Sequence, residues 1–227
     1  MLNLSRPRSV AALALAILTV IAAPLAPTQA HAQAIPESAL QHHLSRLDLG
    51  VTAIGQITKE VTGMNALNPP LNQSVTQRAS TTVGFLATIR YVKSPLIGFE
   101  GNYSQARFTQ NYSKYIIGGA QAKASELSLG YVAHTPSILG LKPYAAVGLG
   151  SMVFSPTAGG GQGLLTQARM VYYYNVGIDD ALFSKHFGVR LHLRQAFYKA
   201  PDFGANYLTI QKQTNTLEPG VGFFLKF

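Results

Sequence analysis

The sequence contains no cysteine in its 227 residues. This absence excludes thiolate metal sites, cysteine nucleophiles and disulfide scaffolds together. Charge is also scarce, because Asp, Glu, Lys and Arg make up only 12% of the chain while hydrophobic residues make up 47%. In an average soluble domain about a quarter of the residues are charged. The length favours a single domain.

Long apolar runs are lacking beyond the start of the chain. The longest uncharged run, 143–168, contains several glycines and two prolines, and its apolar part alternates. A helix that spans a bilayer needs about 20 consecutive apolar residues, so none is predicted there. If the chain enters a membrane, it must do so as a closed barrel, because unpaired strand edges are not tolerated in lipid.

The start of the chain has the pattern of a secretory signal peptide. Two arginines precede a largely apolar run at 10–23, and small residues follow it. The run is too short and wrongly flanked for a membrane anchor, which makes a retained anchor the less favoured alternative. We expect a signal peptide at 1–32 with cleavage after Ala32, and Ala30 and Ala34 are alternative cleavage positions.

The last twelve residues, 216–227, alternate strictly. One parity is wholly apolar and consists of Leu217, Pro219, Val221, Phe223, Leu225 and Phe227. The other parity mixes small, polar and charged residues with one phenylalanine. Because side chains alternate across a strand, this segment is predicted to be a strand with one fully apolar face.

The same alternation recurs along the chain and predicts eight strands. They lie near 47–57, 79–91, 97–104, 126–134, 144–153, 169–179, 189–198 and 216–227. Their connections are alternately long and short, as in membrane barrels with tight turns on one side and extended loops on the other. We therefore predict that residues 46–227 form an all-β fold, an eight-stranded antiparallel up-and-down transmembrane β-barrel. A polar periplasmic arm is expected at 33–45.

Two of the long connections are expected to be irregular loops. The first spans 58–77, where Asn68, Pro69 and Pro70 break regular structure. The second is a polar, tyrosine-bearing loop at about 110–123.

Charged residues within the predicted strands all fall on the parity opposite the apolar one. They are Asp48, Arg90, Glu100, Glu126, Arg169, Asp179, Arg190, Arg194, Glu218 and Lys226, five acids and five bases. A lipid-facing Arg or Lys costs about 2–4 kcal/mol at mid-bilayer. This parity is therefore predicted to face a polar interior, where the opposite charges can neutralise one another.

A lumen charge network is the best-defined candidate site. It comprises Arg90, Glu100, Glu126, Arg169, Asp179, Arg190, Arg194 and Glu218. Adjacent strands predict the pairs Arg90 with Glu100, Asp179 with Arg190, and Arg194 with Glu218. Two interpretations stay open: a gate, in which exchanging ion-pair partners opens a narrow water path, or a fixed polar core. The fixed core is favoured because an unpaired buried charge costs several kcal/mol.

The interior of such a barrel is predicted to be narrow. Eight strands enclose a space about wide enough for side chains to fill it, so a wide pore is not expected. Inward glycines, such as Gly130, Gly148, Gly177 and Gly220, would make room for arginine and tyrosine side chains.

Taken together, the sequence after residue 32 resembles the small eight-stranded outer-membrane barrels of the OmpA and OmpX kind. The segment 187–203, with Gly188, Arg190, Arg194, Tyr198 and Pro201, and the ending 218–227 are similar to outer-membrane β-barrel domain proteins of acidobacteria. The resemblance implies a location in the bacterial outer membrane. It also implies that Phe223, Leu225 and Phe227 form a signal for the barrel-assembly machinery.

These observations favour a monomeric, non-enzymatic, porin-like membrane protein with a structural or surface-interaction role. One alternative is a small gated channel for passive diffusion of solutes. A second is a lipid A-modifying barrel enzyme, which would need a histidine close to a serine at the extracellular rim. A third is a soluble exported sandwich or a lipocalin-like pocket with the apolar parity inside.

The five histidines after residue 32 do not form a convincing site in the sequence. They are His42, His43, His134, His186 and His192, and no cofactor, metal or catalytic residue is predicted. The expected extracellular loops carry a basic excess of seven minus two, or plus five, from Lys59, Arg78, Arg107, Lys114, Lys123, Lys199 and Lys212 against Glu60 and Asp202. Export argues against nucleic acid as the partner. Anionic head groups of outer-membrane lipids, including lipopolysaccharide, are the expected counter-charge, and a solvated rim is the alternative.

Overall fold

A closed sheet of antiparallel strands dominates the part of the chain that the structure describes. The computed structural model describes residues 38–65, 73–113, 119–138, 140–158, 160, 163–184, 186–205 and 208–227. The expected signal peptide at 1–32 and the first residues of the expected arm, 33–37, lie outside these ranges. Among the described residues, no helix is long and apolar enough to cross a membrane.

The described residues form one short helix and ten strands. In order they are α1 Ala39–Leu44, β1 Leu47–Thr58, β2 Val61–Asn65, β3 Gln73–Ala79, β4 Thr82–Val92, β5 Ile97–Tyr112, β6 Ala120–His134, β7 Lys142–Pro156, β8 Gln167–Ser184, β9 Phe187–Lys199 and β10 Gln213–Lys226. Helix α1 lies within the expected polar arm. It begins after Ser38, whose Oγ accepts a hydrogen bond of 3.3 Å from the backbone N–H of Gln41.

Eight of the ten strands close into a ring. They pair antiparallel in the order β1, β4, β5, β6, β7, β8, β9, β10, and β10 pairs again with β1. Closure pairs the backbone groups that would otherwise be exposed along two sheet edges. The prediction of an eight-stranded antiparallel up-and-down barrel is confirmed.

The two ends of the barrel differ in their connections. Short connections join β4 to β5, β6 to β7 and β8 to β9, and we call this side the short-turn end. Longer connections join β1 to β4, β7 to β8 and β9 to β10 on the other side, which we call the long-loop end; the connection from β5 to β6 also lies there and is as long as the one from β6 to β7. Helix α1 precedes β1, and the end of β10 pairs with the start of β1. Helix α1 and the end of β10 are therefore both at the short-turn end.

The expected irregular loop at 58–77 is wrong in part, because β2 and β3 form a hairpin there. Strand β3 then pairs with β5, from Gln77 opposite Tyr112 to Ala79 opposite Gln110. Strand β5 has 16 residues and β4 has only 11, so the last part of β5 extends beyond its neighbour. The hairpin covers that exposed edge, a long-range requirement that local turn residues do not reveal.

The expected loop at 110–123 is also too long, because β5 continues to Tyr112 and β6 begins at Ala120. Polar residues in this region made it look like a loop. They alternate with Phe108, Ala122 and Ala124, which are buried inside the barrel. The alternation of inward and outward side chains therefore continues towards the long-loop end, beyond the apolar part of the outer surface.

The apolar parity faces outward on all eight ring strands. Examples from them are Val51, Val83, Phe99, Leu129, Leu149, Met170, Leu191 and Val221. The exposed fraction is 70% for Leu129 and 70% for Met170, whereas it is 1% for Arg90 and 0% for Arg194. Large apolar side chains thus cover most of the exterior, and the charges on the inward parity are mostly buried.

The interior is not uniformly polar, and this differs from the sequence prediction. Charges fill the half nearest the short turns, but the half nearest the long loops is an apolar core. That core includes Ala106, Phe108, Tyr112, Ala122, Phe154, Val171, Ala196 and Tyr198 from the strands, Val75 from β3, and Phe203, Leu208 and Ile210 from the β9–β10 connection. The connection therefore folds back into the barrel mouth and fills it.

Inward glycines provide the space that large interior rings occupy. A Cβ added to Gly130 would lie 2.3 Å from the Tyr173 hydroxyl, and one added to Gly148 would lie 2.6 Å from the same ring. Tyr144 occupies the equivalent space over Gly177. The predicted complementarity of small and large inward residues is thus visible in the packing.

We expect Gly148→Ala to lower the free energy of unfolding by about 1–3 kcal/mol, because the new methyl group overlaps the backbone oxygen of Leu129 and the Tyr173 ring. Gly55→Ala is the matched control, since its Cβ would make only ordinary contacts of 3.6 and 3.9 Å with Pro219. Urea unfolding of the refolded barrel, monitored by heat-modifiable gel migration, measures the stability of both variants. Equal stability of the two variants would contradict this packing.

Candidate functional site

Five charged side chains form one connected cluster at the short-turn end. Arg90 Nη2 lies 2.9 Å from Glu100 Oε2, and Arg90 Nη1 lies 3.2 Å from Asp179 Oδ2. Arg190 Nε donates to Asp179 Oδ1 at 2.8 Å, and Arg190 Nη2 lies 3.2 Å from Asp48 Oδ1. The cluster therefore runs across β5, β4, β8, β9 and β1, and Asp179 is bound by both arginines.

Aromatic rings pack against the two guanidinium groups. The ring of Tyr144 lies 4.3 Å from the Arg90 guanidinium carbon and 5.6 Å from that of Arg190. On the other side, the Phe224 ring lies 5.1 Å from Arg190. Such rings attract a desolvated cation through their electron-rich faces, so they hold the arginines while the carboxylates orient them.

A second, smaller cluster is centred on Arg194, deeper in the barrel. Its guanidinium group forms ion pairs with Glu218 on β10 and Glu126 on β6. Glu218 Oε1 also accepts a hydrogen bond of 3.0 Å from Gln56 Nε2, and the Tyr173 ring lies 4.2 Å from the Arg194 carbon. This arrangement joins opposite walls of the barrel through one side chain.

Tyr173 connects the two clusters. Its hydroxyl donates to Glu100 Oε1 at 2.8 Å and accepts from Asn102 Nδ2 at 2.8 Å. Asn102 Oδ1 in turn accepts a hydrogen bond of 2.8 Å from Thr88 Oγ1. A continuous network of ion pairs and hydrogen bonds thus crosses the polar half of the interior.

The three pairs expected from adjacent strands occur as cross-strand neighbours. Arg90 lies opposite Glu100, Asp179 opposite Arg190, and Glu218 opposite Arg194. Contacts between strands that are not adjacent could not be read from the sequence. These are Arg90 with Asp179, Arg190 with Asp48, and Arg194 with Glu126. We did not expect Gln56, Tyr144 and Tyr173 in the network. The only sign of their role in the sequence is that they fall on the inward parity.

Arg169, which we expected in the same network, lies elsewhere. Its Nη2 pairs with Asp202 Oδ2 at 3.0 Å at the long-loop end. Lys226 is partly exposed at the opposite end of the barrel. Among the described residues, the buried charges are therefore five carboxylates, from Asp48, Glu100, Glu126, Asp179 and Glu218, and three guanidinium groups, from Arg90, Arg190 and Arg194. The predicted balance of five and five does not apply to this space.

Asp202 fastens the β9–β10 connection to β8. Its carboxylate accepts hydrogen bonds from Gln167 Nε2 at 2.5 Å, from Thr209 Oγ1 at 3.2 Å and from the Gly204 N–H at 3.2 Å. Partial burial on its own would raise the pKa of Asp202, but the Gln167 hydrogen bond, the Arg169 charge and the other donors bring the pKa below its usual value. The connection that carries Phe203 is thereby anchored over the barrel mouth.

A cavity of 490 Å³ with a mixed polar and apolar lining opens at the short-turn end. It is lined by residues that include Asp48, Asp179, His134, Lys142 and Lys226. Solvent can reach the edge of the first charge cluster from this side. At the other end the apolar core occupies the interior, so the described residues form a vestibule that is blind at its inner end.

The five histidines are dispersed. His43 Nδ1 lies 2.8 Å from the Tyr91 hydroxyl, His186 Nδ1 lies 2.9 Å from a backbone carbonyl, and His192 is buried between the two charge clusters. Within the described part of the chain, no His, Asp and Glu side chains cluster in a way that could hold a metal ion. No histidine ring there is hydrogen-bonded to a serine hydroxyl, the pair that nucleophilic catalysis would use.

The apolar parity of β10 faces outward up to the end of the chain. The exposed fraction is 57% for Phe223, 51% for Leu225 and 41% for Phe227. Strand β10 is held between β9 and β1, so these three side chains form an apolar stripe on the outer surface beside the short-turn end.

Comparison with solved structures identifies the class of fold. The outer membrane protein OprG from Pseudomonas aeruginosa superposes with a TM-score of 0.59 at 13% identity, over 82% of this chain and 97% of that chain. Neisserial surface protein A superposes with a TM-score of 0.52 at 13% identity, over 79% of this chain and 97% of that chain. No protein-family model matches the sequence, and no curated protein matches it. The chain has the fold of the small eight-stranded outer-membrane β-barrels, as the sequence predicted.

We expect Glu218→Ala to lower the stability of the barrel in detergent by about 3 kcal/mol, because Gln56 loses its acceptor and Arg194 loses one of its two carboxylates. Thermal unfolding followed by gel migration measures the loss. Glu60→Ala, at an exposed carboxylate, is the control and should leave the melting temperature unchanged. An unchanged melting temperature for Glu218→Ala would contradict its paired role.

Proposed function

We propose that this protein is a monomeric integral protein of the bacterial outer membrane with a structural or surface-interaction role and a closed lumen. The observation that carries the proposal is the combination of an apolar exterior with an interior that packed side chains close beyond the short-turn vestibule. The exterior supports insertion into lipid, and the filled interior argues against transport as the main activity.

The outer surface supports the membrane location. Every ring strand presents large apolar side chains outward. The charged side chains of the two clusters lie inside the barrel and are buried. Because one Arg or Lys facing lipid at mid-bilayer costs about 2–4 kcal/mol, this distribution suits hydrocarbon. In barrels of this kind the short turns face the periplasm and the longer loops face outward, so the long-loop end is assigned to the cell surface.

The two charge clusters act as a fixed polar core under this proposal. Each of the five enclosed carboxylates is joined to at least one arginine, and each arginine is joined to at least two carboxylates. Opening a water path would separate buried partners at a cost of several kcal/mol for each unpaired charge. The anchored segment with Phe203, Leu208 and Ile210 would have to leave as well. These requirements favour the fixed core over the gate.

The partners follow from the two surfaces. Membrane lipids contact the apolar exterior, and lipopolysaccharide meets the basic long-loop end, where Arg78, Arg107, Lys123, Lys199 and Lys212 face outward or lie in connections. The barrel-assembly machinery would recognise the outward stripe of Phe223, Leu225 and Phe227 at the end of β10.

Planar-bilayer recording tests the closed lumen. We expect the refolded chain to show no stable conductance steps, because apolar side chains block the long-loop end. The triple variant Phe203→Ser, Leu208→Ser, Ile210→Ser should show more frequent openings, since it weakens the packing that holds this segment in the mouth. Steady single-channel steps from the unmodified barrel would instead support the small diffusion channel.

Deletion of Phe227 tests the assembly role. We expect normal synthesis but lower levels of heat-modifiable barrel in the outer membrane, because the terminal aromatic residue of the stripe is lost. Replacing the equally outward Phe99 by alanine, on β5 and away from the terminus, controls for the loss of one apolar side chain. Normal barrel levels after the deletion would contradict this role for the terminus.

A further inference from the structure

Two basic side chains face each other on the outer wall near the long-loop end. Arg107 on β5 lies directly opposite Lys123 on β6 in the register. Both belong to the outward parity, with Arg107 exposed and Lys123 half-buried. Side chains that are directly opposite lie about 4.5–5.5 Å apart at their Cβ atoms, and like charges in that position destabilise a sheet. The pair therefore needs a counter-charge.

No carboxylate of the described residues supplies one. Neither Arg107 nor Lys123 takes part in any of the ion pairs among those residues. The acidic residues in the described part of the long-loop end are Glu60 and Asp202. Asp202 is already held by Arg169, and Glu60 lies in the connection between β1 and β2. On the adjacent strand β7, the residue opposite Lys123 is Ser155. Ser155 is polar but uncharged, so it does not neutralise the two cations.

The position of the pair relative to the apolar surface indicates what the counter-charge is. Moving towards the short-turn end, the next row is Gln105 opposite Ser125, and the row after that is Tyr103 opposite Leu127. Tyr103 and Leu127 are exposed members of the outward apolar surface, and Val83, the outward residue of β4 next to the row of Arg107, is the last exposed apolar residue of that strand on this side. Four residues along a strand span about 13 Å, and a strand tilt of about 45° reduces this to roughly 9 Å along the membrane normal. The pair thus lies at head-group depth.

We propose that Arg107 and Lys123 bind a phosphate group of a phosphorylated glycolipid in the outer leaflet, with Tyr103 and Leu127 in contact with its acyl chains. This inference rests on the proposed membrane location and deepens it by naming the site. Arginine binds phosphate through two parallel hydrogen bonds, and lysine adds a point charge. The bound phosphate removes the repulsion between the two cations. Arg78, outward on β3, adds positive potential on the same side of the barrel.

The test compares lipid A with the same glycolipid after removal of its phosphates. The chain is refolded in detergent, and binding of each lipid is measured by native mass spectrometry and by the shift in thermal unfolding. The unmodified barrel should bind the phosphorylated form about tenfold more tightly. A heat-modifiable barrel that shows no preference for phosphate would overturn the site but leave the proposed function in place. A chain that neither partitions into detergent nor shows heat-modifiable migration would overturn the proposed function itself.

Matched variants separate this pair from the general basic charge of the rim. The double substitution Arg107→Gln, Lys123→Gln should abolish most of the preference for phosphate. Lys199→Gln, Lys212→Gln removes the same charge from exposed positions in and next to the β9–β10 connection, away from the pair, and should lower the preference less than the first double variant does. Equal losses in both double variants would show that only non-specific rim charge is at work, and the site would be rejected.

A charge reversal gives a readout without lipid. Lys123→Glu places a carboxylate opposite Arg107, which should raise the melting temperature in lipid-free detergent because repulsion becomes attraction. The same variant should lose the preference for phosphorylated lipid, because Arg107 is then paired within the protein. A melting temperature that does not rise would contradict the repulsion from which the site is inferred.

Discussion

Each strand of the closed ring must separate two environments with the alternate side chains of one backbone. Hydrocarbon on one side accepts only apolar groups, and a space a few side chains wide on the other must contain every charge that the strands carry at the depth of the hydrocarbon. Once the ring of β1 and β4 to β10 is closed, each residue is assigned to one environment by its parity. The ion pairs of Arg90, Arg190 and Arg194 are the consequence, because charges enclosed in such a small space must find partners there.

The width of the ring decides how those partners are arranged. An eight-stranded barrel brings strands from opposite walls within reach of one arginine side chain, so that Arg194 on β9 meets Glu126 on β6. The same narrowness requires glycines at inward positions. Tyr173 fits between the walls only because Gly130 and Gly148 have no side chains, and its hydroxyl then bridges the clusters through Glu100. Packing and electrostatics are therefore two aspects of one constraint.

The division of the interior into a polar and an apolar half gives the barrel two different ends. The short-turn end has a water-accessible vestibule that leads to enclosed charges. The long-loop end is closed by an apolar core, and Asp202 and Arg169 fasten the segment that completes this core. Apart from this vestibule, the described interior leaves little room for another molecule. This is why the proposed function concerns the apolar exterior, the terminal stripe and the basic rim.

The parity of the sequence was sufficient to predict the eight strands of the ring, barrel closure, the outward and inward faces, and the ion pairs between adjacent strands such as Arg90 with Glu100. These features follow from the alternation of side chains along a strand and from the cost of a charge that faces lipid. Both can be judged from neighbouring residues in the sequence. Only the tertiary structure decided that Asp48 meets Arg190, that Arg169 leaves the network for Asp202, and that β2 and β3 cover the overhanging edge of β5. It also decided that Phe203, Leu208 and Ile210 fill the mouth. Each of these depends on distances across the barrel or on unequal strand lengths, which a one-dimensional alternation does not contain.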